Sequence, residues 1–417
     1  MATISETSDD GSNGGVPNKK SEELHKNPKE EEEEENQNEK PKEEDQEDDH
    51  QEEEEVENLP PIPRRIPQAL IRRTVALIRR CHYPSLSLLS KAFRRVISSP
   101  ELHHRRLSLH LTEPVLYALI GFPSHGFPSW FILNHNIPRN IPLRLSQIGS
   151  LPRMNPGSAV VTIGYKMYVI GGMIGPFNHV KTVFVIDCRV HTCNYLPTMH
   201  RARYRAAAEV IDGKIYVIGG CEKRYDDWIE MFDIENGTWS TVPDPSHWKS
   251  SLPRGGFVTS VVMQNKIFIL DDMRGLVYDP NDGTWESWEP ETKLMSYWSK
   301  PCCVIEDLLY SLDPWCVQRR IQVYDPNGMF WTPVMGLHGL PNLNYFDCKM
   351  ANVGGKLMVL GTTYNSDEAI WCVEIWCVEI ALEKRERGQI WGKIDSMQPV
   401  LRSMNAAYID LCRSVTF

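Results

Sequence analysis

One unit recurs through the chain, and it allows few folds. Its clearest copy is Arg203–Pro243. There a short apolar run over Ala206–Ile211 is followed by the turn pair Asp212-Gly213 and a second run, Lys214–Ile218, ending in Gly219-Gly220. A third run, Asp227–Asp233, leads through the turn Asn236-Gly237 to a fourth, Thr238–Val242. Asp-Gly and Asn-Gly between apolar runs are hairpin signals, because the tight turn needs residues that tolerate φ > 0. The order returns upstream at Ala159–Ile163, Lys166–Ile170, Val183–Asp187 and Asn194–Leu196. It returns downstream at Val258–Val262, Lys266–Leu270, Gly275–Asp279 and Thr284–Trp288, then at Cys302–Ile305, Leu308–Leu312, Ile321–Asp325 and Phe330–Val334. The acids Asp187, Asp233, Asp279 and Asp325 stand 46 residues apart. Four short strands at that period predict the blades of a β-propeller.

A ring of blades must close. His110–Ser150 holds two strand-like pieces, Pro114–Phe122 and Trp130–Leu133, with an irregular connection at Ile137–Pro142. Two strands alone form a marginal sheet. At the far end Ala406–Leu411 and Ser414–Phe417 read as two more strands. The expectation is one composite blade, its first two strands from the far end and its last two from Pro114–Leu133, which removes the open edge. Continuous repeats at about 151–197, 199–243, 253–290, 298–335 and 345–395, with a closing blade from 402–417 plus 110–135, give six blades. The fifth repeat carries a direct duplication, Trp371–Ile375 followed by Trp376–Ile380, both WCVEI. Five is odd, so the two copies present opposite faces. The second is expected in the regular third strand, and the first as an extension or bulge at the rim.

Charge divides the chain well before the repeats begin. The net −10 averages two unlike parts. Met1–Glu57 holds 23 acidic and 6 basic residues, or −17, whereas the remainder holds 32 acidic and 39 basic, or +7. Runs such as Glu30–Glu35 repel themselves and bury nothing, so 1–57 reads as a disordered acidic tail. Such a tail solvates, or binds a basic partner or a basic face of its own chain. No apolar stretch approaches the roughly 20 residues that span a bilayer, and no leader-like segment opens the chain. The eleven cysteines show no CxxC pair, and this reads as reduced thiols in the cytoplasm or nucleus.

Between tail and repeats, 58–107 reads as three short helices. Leu70, Ile71, Thr74, Val75 and Ile78 recur at helical spacing, with Arg72, Arg73, Arg79 and Arg80 on the other face. Tyr83-Pro84 breaks this helix, a second runs from Leu86 through Phe93, Val96 and Ile97, and Ser99-Pro100 breaks again before Glu101–Leu107. So small a module buries too little to be robust alone, which implies that a partner or the propeller covers its apolar face. Paired arginines on a helix are ordinarily a solvated face, so nucleic acid is not expected.

The punctuation of this module resembles the F-box of plant F-box/kelch-repeat proteins. The matching residues are Ile66-Pro67, Leu70-Ile71, Tyr83-Pro84-Ser85-Leu86, Leu89-Ser90-Lys91, Phe93-Arg94 and Ser99-Pro100-Glu101-Leu102. Two departures stand out. Gln68-Ala69 occupy positions where the family usually carries acids, and Arg72 and Arg73 replace neutral ones. The repeats resemble kelch repeats through Gly171-Gly172 and Gly219-Gly220 and the late Trp239, Trp285, Trp331 and Trp391. The double glycine is replaced in the later repeats by Asp271-Asp272, Asp313-Pro314 and Gly361-Thr362.

The resemblance implies a mainly β protein: a six-bladed kelch-type propeller at 108–417 behind a three-helix F-box. It implies docking onto a Skp1-like protein, and through it a cullin, as the substrate adaptor of a ubiquitin ligase. Ile66, Pro67, Leu70, Ile71, Pro84, Leu86 and Leu89 then form much of the docking face. The adaptor is not an enzyme; it works by proximity, holding a target protein near the ubiquitin-charged enzyme. Two other readings stay open: a kelch scaffold that no longer assembles a ligase, and a propeller enzyme or small-ligand binder.

Motifs for chemistry are sparse. No nucleophile elbow, phosphate loop, HExxH or calcium loop occurs, so no cofactor or metal is expected. Gly171-Gly172 and Gly219-Gly220 precede no helix and read as points of close approach between strands. One regularity points to a site. Arg153, Arg203, Arg254 and Arg402 each stand seven residues before an apolar strand residue, Val160, Val210, Val261 and Ile409. Superposed blades would gather them on one rim, suited to an acidic or phosphorylated peptide. The competing reading has each arginine tie neighbouring blades by bonding carbonyls or an acid.

Overall fold

The computed structural model describes residues 66–123, 126–133, 142–221, 228–243, 259–270, 275–288, 294, 297–298, 301–313, 321–365 and 372–417. The acidic segment 1–57 and Arg254 lie outside these. The chain is mainly β and builds a six-bladed propeller, each blade a four-stranded antiparallel sheet.

The first blade is Ala159–Ile163, Lys166–Ile170, Val183–Asp187 and Thr192–Leu196, from the ring axis outward. The second is Ala207–Ile211, Lys214–Ile218, Ile229–Asp233 and Thr238–Val242. The third is Thr259–Met263, Lys266–Leu270, Gly275–Asp279 and Thr284–Trp288, and the fourth Cys302–Ile305, Leu308–Leu312, Ile321–Asp325 and Phe330–Pro333.

The 46-residue landmark has a local cause. Each of the four acids ends a third strand and caps the turn after it. Asp187 accepts from the Arg189 amide at 3.0 Å, Asp233 from Glu235 at 2.9 Å, Asp279 from Asn281 at 3.0 Å and Asp325 from Asn327 at 2.9 Å. Asp side chains favour this local bond to the amide two residues on. The tryptophans fasten blade to blade. Trp239 donates its indole N–H to the Pro197 carbonyl at 2.8 Å and Trp285 to Pro243 at 3.0 Å, each reaching the end of the preceding outer strand. Trp331 donates to Leu294 at 3.1 Å.

The turn between the first two strands of the second blade follows its residues. Asp212 and Gly213 take φ of 47° and 72°, the all-positive turn that matches strand twist. The double glycines serve close approach. A Cβ on Gly171 would lie 2.5 Å from the Arg203 carbonyl oxygen, and one on Gly220 2.8 Å from the Ala206 amide nitrogen. In each case the crowding backbone belongs to the segment that leads into the second blade.

Closure differs from the two-plus-two expectation. Tyr408–Thr416 is one continuous strand, and it pairs with Pro114–Gly121, which continues to Ser129–Leu133 and Leu145–Ile148. The far end therefore supplies one strand and the near end three. Cys412-Arg413 offers no turn chemistry, so the chain runs straight through the expected break.

The fifth blade is the longest: Lys349–Val353, Lys356–Asn365, Cys372–Lys384 and Ile390–Ser403. In the first two blades the lysine opening the second strand faces the landmark acid: Lys166 faces Asp187 and Lys214 faces Asp233. Here Leu357 faces Ile380, so Lys356 lies opposite Ala381 and the second WCVEI copy occupies the regular register. The first copy lengthens the strand beyond the ring, with Gly361–Asn365 extended beside it. The outer strand adjusts by register shifts facing Ile375/Trp376 and Glu379/Ile380. The flipped faces are visible in the packing. Val373, Ile375 and Cys377 join the core shared with the closing blade, whereas Val378 and Ile380 join the core shared with the fourth.

Each blade interface among the described residues carries its own apolar core. Examples are Ile215 against Tyr168 between blades one and two, and Met167 beside Tyr117 and Val415 between blade one and the closing blade. The alternation of strand side chains supplies both faces of every sheet.

The helical module has four α-helices where three were expected: α1 (Gln68–Leu77), α2 (Tyr83–Leu89), α3 (Lys91–Ile97) and α4 (Pro100–Ser108). The expected second helix is split at Ser90, whose extended backbone and side-chain bond from the Phe93 amide (3.3 Å) cap α3. Ile71, Val75, Ala76, Tyr83, Val96 and Leu102 form the module's core.

Candidate functional site

Strand alternation sorts the connections of a propeller onto two faces. On one lie the tight turns between first and second strands and between third and fourth, such as Gly164-Tyr165 and Cys188–His191. On the other lie the longer segments between second and third strands and between blades.

The helical module packs on the turn face. Arg106 of α4 is buried and donates to the carbonyls of Ala76 (3.1 Å), Ile78 (2.7 Å) and Leu111, to the Tyr83 hydroxyl (3.2 Å), and to Glu113 at 2.6 Å. Glu113 in turn exchanges both backbone bonds with Phe417, at 3.0 and 3.2 Å, and the Phe417 side chain is fully buried. The Arg80 guanidinium lies 3.7 Å from the centroid of the Phe417 ring. Burial pushes its pKa down to about 10, so it remains charged at neutral pH. A second bridge uses His103, whose ring meets Tyr165 edge-on at 5.0 Å, while Arg189, paired to Asp187 at 2.6 Å, covers Tyr165 at 3.6 Å. Module and ring belong to one compact unit, Pro63–Phe417.

The outward side of the module is apolar. Ile66, Leu70 and Leu89 are more than half exposed, Pro67 and Pro84 are exposed, and Leu86 is half-buried. Ile71 departs from expectation: at 4% exposure it is a core residue, because the helix turns it toward Val75 and Leu102. Leu77 and Leu88 are exposed too and went unread. Leu77 stands seven residues after Leu70, the spacing that returns to one helix face.

The loop face holds the arginines. Arg203 is corrected from a rim residue to an internal anchor. It is 1% exposed, donates to the carbonyls of Gly219 (2.6 Å) and Trp228 (2.8 Å), and pairs with the fully buried Glu230 at 2.9 Å. Glu230 also accepts from the His200 and Arg201 amides at 2.6 and 3.0 Å, so pair and loop are fixed together. Arg153 is exposed, its guanidinium 5.4 Å from the Phe127 ring of the closing blade. Arg402 is exposed at the end of the fifth blade's outer strand and bonds Glu374 of the first WCVEI copy, Nε to Oε1, at 2.9 Å. The sequence spacing thus gathers residues with three different roles. Exposed apolar side chains share this face: Phe127, Ile174, Phe177, Phe346 and Met404. Among the described residues no three His, Cys, Asp or Glu side chains form a metal-binding group.

Residues 130–401 match a family model described as the FKB95 Kelch-repeats domain. A putative F-box/kelch-repeat protein of Arabidopsis thaliana is 75% identical over 421 residues, covering 100% of both chains. The chain belongs to the F-box/kelch-repeat family. An F-box/LRR-repeat/kelch-repeat protein of the same plant is 55% identical over 419 residues, and another F-box/kelch-repeat protein 51% identical over 429, each with 100% coverage of both chains. In this F-box/kelch-repeat protein the four helices before the ring are the F-box module, set on the turn face.

Proposed function

We propose that the protein is the substrate adaptor of a Skp1-cullin-F-box type ubiquitin ligase, docking a Skp1-like protein through the module and a target protein through the loop face. The observation that carries this reading is the placement of the two surfaces. The apolar side chains of the F-box module stay exposed although the module sits on the turn face, and the long loops occupy the opposite face. A module that leaves Ile66, Leu70, Leu77, Leu88 and Leu89 in water is built for a covering partner. The names of the relatives support the same reading. The chain then acts by proximity and performs no covalent step itself. It works in the cytoplasm or nucleus, which imaging of a tagged chain checks.

Pull-down of a purified Skp1-like protein by the full chain tests the proposal, with a close relative run in parallel. Retention by both is expected. Retention by the relative alone favours a kelch scaffold without ligase assembly.

A further inference from the structure

On α1 four exposed residues, Leu70, Arg73, Thr74 and Leu77, recur at spacings of three and four within roughly 100° of the helix. Arg73 thus shares the face of the leucines and not the opposite one that the sequence pattern gave it, and exposed Ile66 stands just before the helix. Arg73 makes no ion pair or hydrogen bond among the described residues. Lys91, Arg94, Arg95 and Arg105, all exposed, are also without ion pairs there. The surrounding charge is one-sided: Ile66–His110 contains nine Lys and Arg and one acid, Glu101. The propeller does not share this excess, since 111–417 holds 28 basic and 31 acidic residues.

We propose that Arg73 is a specificity residue of the docking stripe, and that the covering protein is a Skp1-like partner presenting a carboxylate within an apolar groove. This rests on the adaptor reading and names the chemistry of its partner. Covering Leu70 and Leu77 takes Arg73 out of water. An unpaired cation there opposes binding, while an opposed carboxylate turns the same group into a selective contact. A nucleic acid would meet the cations but leave the leucines exposed, so the stripe fits a protein. Skp1-like proteins lacking the acid are rejected by desolvation of Arg73, and those carrying it are steered in by the exposed cations Lys91, Arg94, Arg95 and Arg105.

The test measures binding of the full chain to purified Skp1-like proteins by calorimetry, at about 50 mM and about 300 mM NaCl. The chains are the native one, Arg73→Gln, Arg73→Glu and Leu77→Asp. Arg73 is exposed, so its variants should keep the native melting temperature. Arg73→Glu is expected to weaken binding by about tenfold or more at low salt, with a smaller loss for Arg73→Gln and a narrower gap at high salt. Reversing the facing acid on the partner to Lys should restore affinity to Arg73→Glu. Full affinity of Arg73→Glu, while Leu77→Asp abolishes binding, overturns the role of Arg73 and leaves the adaptor reading standing. Failure of every Skp1-like protein to bind the native chain overturns the adaptor reading itself, and this inference with it.

Discussion

Arg106 of the last helix meets Glu113, the residue before strand Pro114–Gly121 of the closing blade, at 2.6 Å with 3% and 15% of the two side chains exposed. The pair stands where module becomes propeller. Glu113 is also held to Phe417 through its backbone, so three parts of the chain converge on one residue. Arg106→Met strands that acid and four further acceptors. The expected cost is about 3–5 kcal/mol, read as a lower midpoint in urea denaturation. Glu113→Gln keeps an oxygen for the guanidinium and should cost about 1–2 kcal/mol. Proteolysis between Leu109 and Thr112 should accelerate in the first variant, because the connection is released before the ring unfolds. An unchanged midpoint for Arg106→Met would count against the joint.

Arg203 and Glu230 give a second prediction. Both side chains are fully buried, so removing either leaves a charge without its counterion. Arg203→Met should lower stability by about 3–5 kcal/mol, and Glu230→Gln by less, since its one amide oxygen can still take the Oε1 place that accepts from the Arg201 amide and the Arg203 guanidinium, while the His200 amide loses its acceptor. Chemical denaturation distinguishes the two. Target binding measured well below the melting temperature should be unchanged in both, because neither group reaches the loop-face surface.

These two arginines show what sequence can carry. The propeller was legible because its turns are written in residues that tolerate φ > 0 and its acids cap turns at fixed intervals. Both signals are local. The identity of a buried arginine's partner is not. Arg203 and Arg402 share one spacing rule, yet Glu230 lies in the blade Arg203 enters, whereas Glu374 lies in the blade Arg402 ends. The closing blade was half legible. That the ends must meet followed from the cost of an open sheet edge, but Leu145–Ile148, with its mixed polarity, gave no strand signal, and so the strand tally shifted. In the module, Ser90 and Leu77 were readable as a helix cap and as an i+7 partner, and were missed.

Acid should loosen the contact of module and ring. His103 is held below its ordinary value of 6.5 by burial first, then by the charges of Arg189, His104 and Arg80, against a smaller pull from Asp187. Burial and Arg80 lower His191 in the same way. The sign follows directly. Below the unfolded value the unfolded chain takes up protons that the folded chain resists, so stability declines as pH falls from about 6.5. Above that value neither histidine contributes. The melting temperature should therefore be flat from pH 7.5 to about 6.5 and fall towards pH 5. His103→Phe keeps the ring against Tyr165 and should flatten part of that fall. A slope unaltered by this change would remove His103 from the account.

The WCVEI duplication yields the last prediction. Deleting either copy produces the same sequence, so the experiment asks which register the single remaining copy adopts. Hairpin pairing with Leu357–Leu360 should keep it in the regular third strand, where Val378 and Ile380 now pack against the fourth blade. The position facing Arg402 then passes from Glu374 to Ala369, and the extension above the ring loses its acid. The ring should survive, since its regular ladders are untouched. The pair itself is partly solvated, and its loss should cost no more than about 1 kcal/mol. The larger change is local. Amides of Gln398–Ser403 should exchange faster with solvent by hydrogen–deuterium exchange, while those of the second blade stay as protected as before. Retained protection in Gln398–Ser403 would show that the extension does not depend on the duplicated strand. If the loop face holds the target, target affinity should fall with the same deletion, because the lengthened blade stands on that face beside Phe346 and Met404.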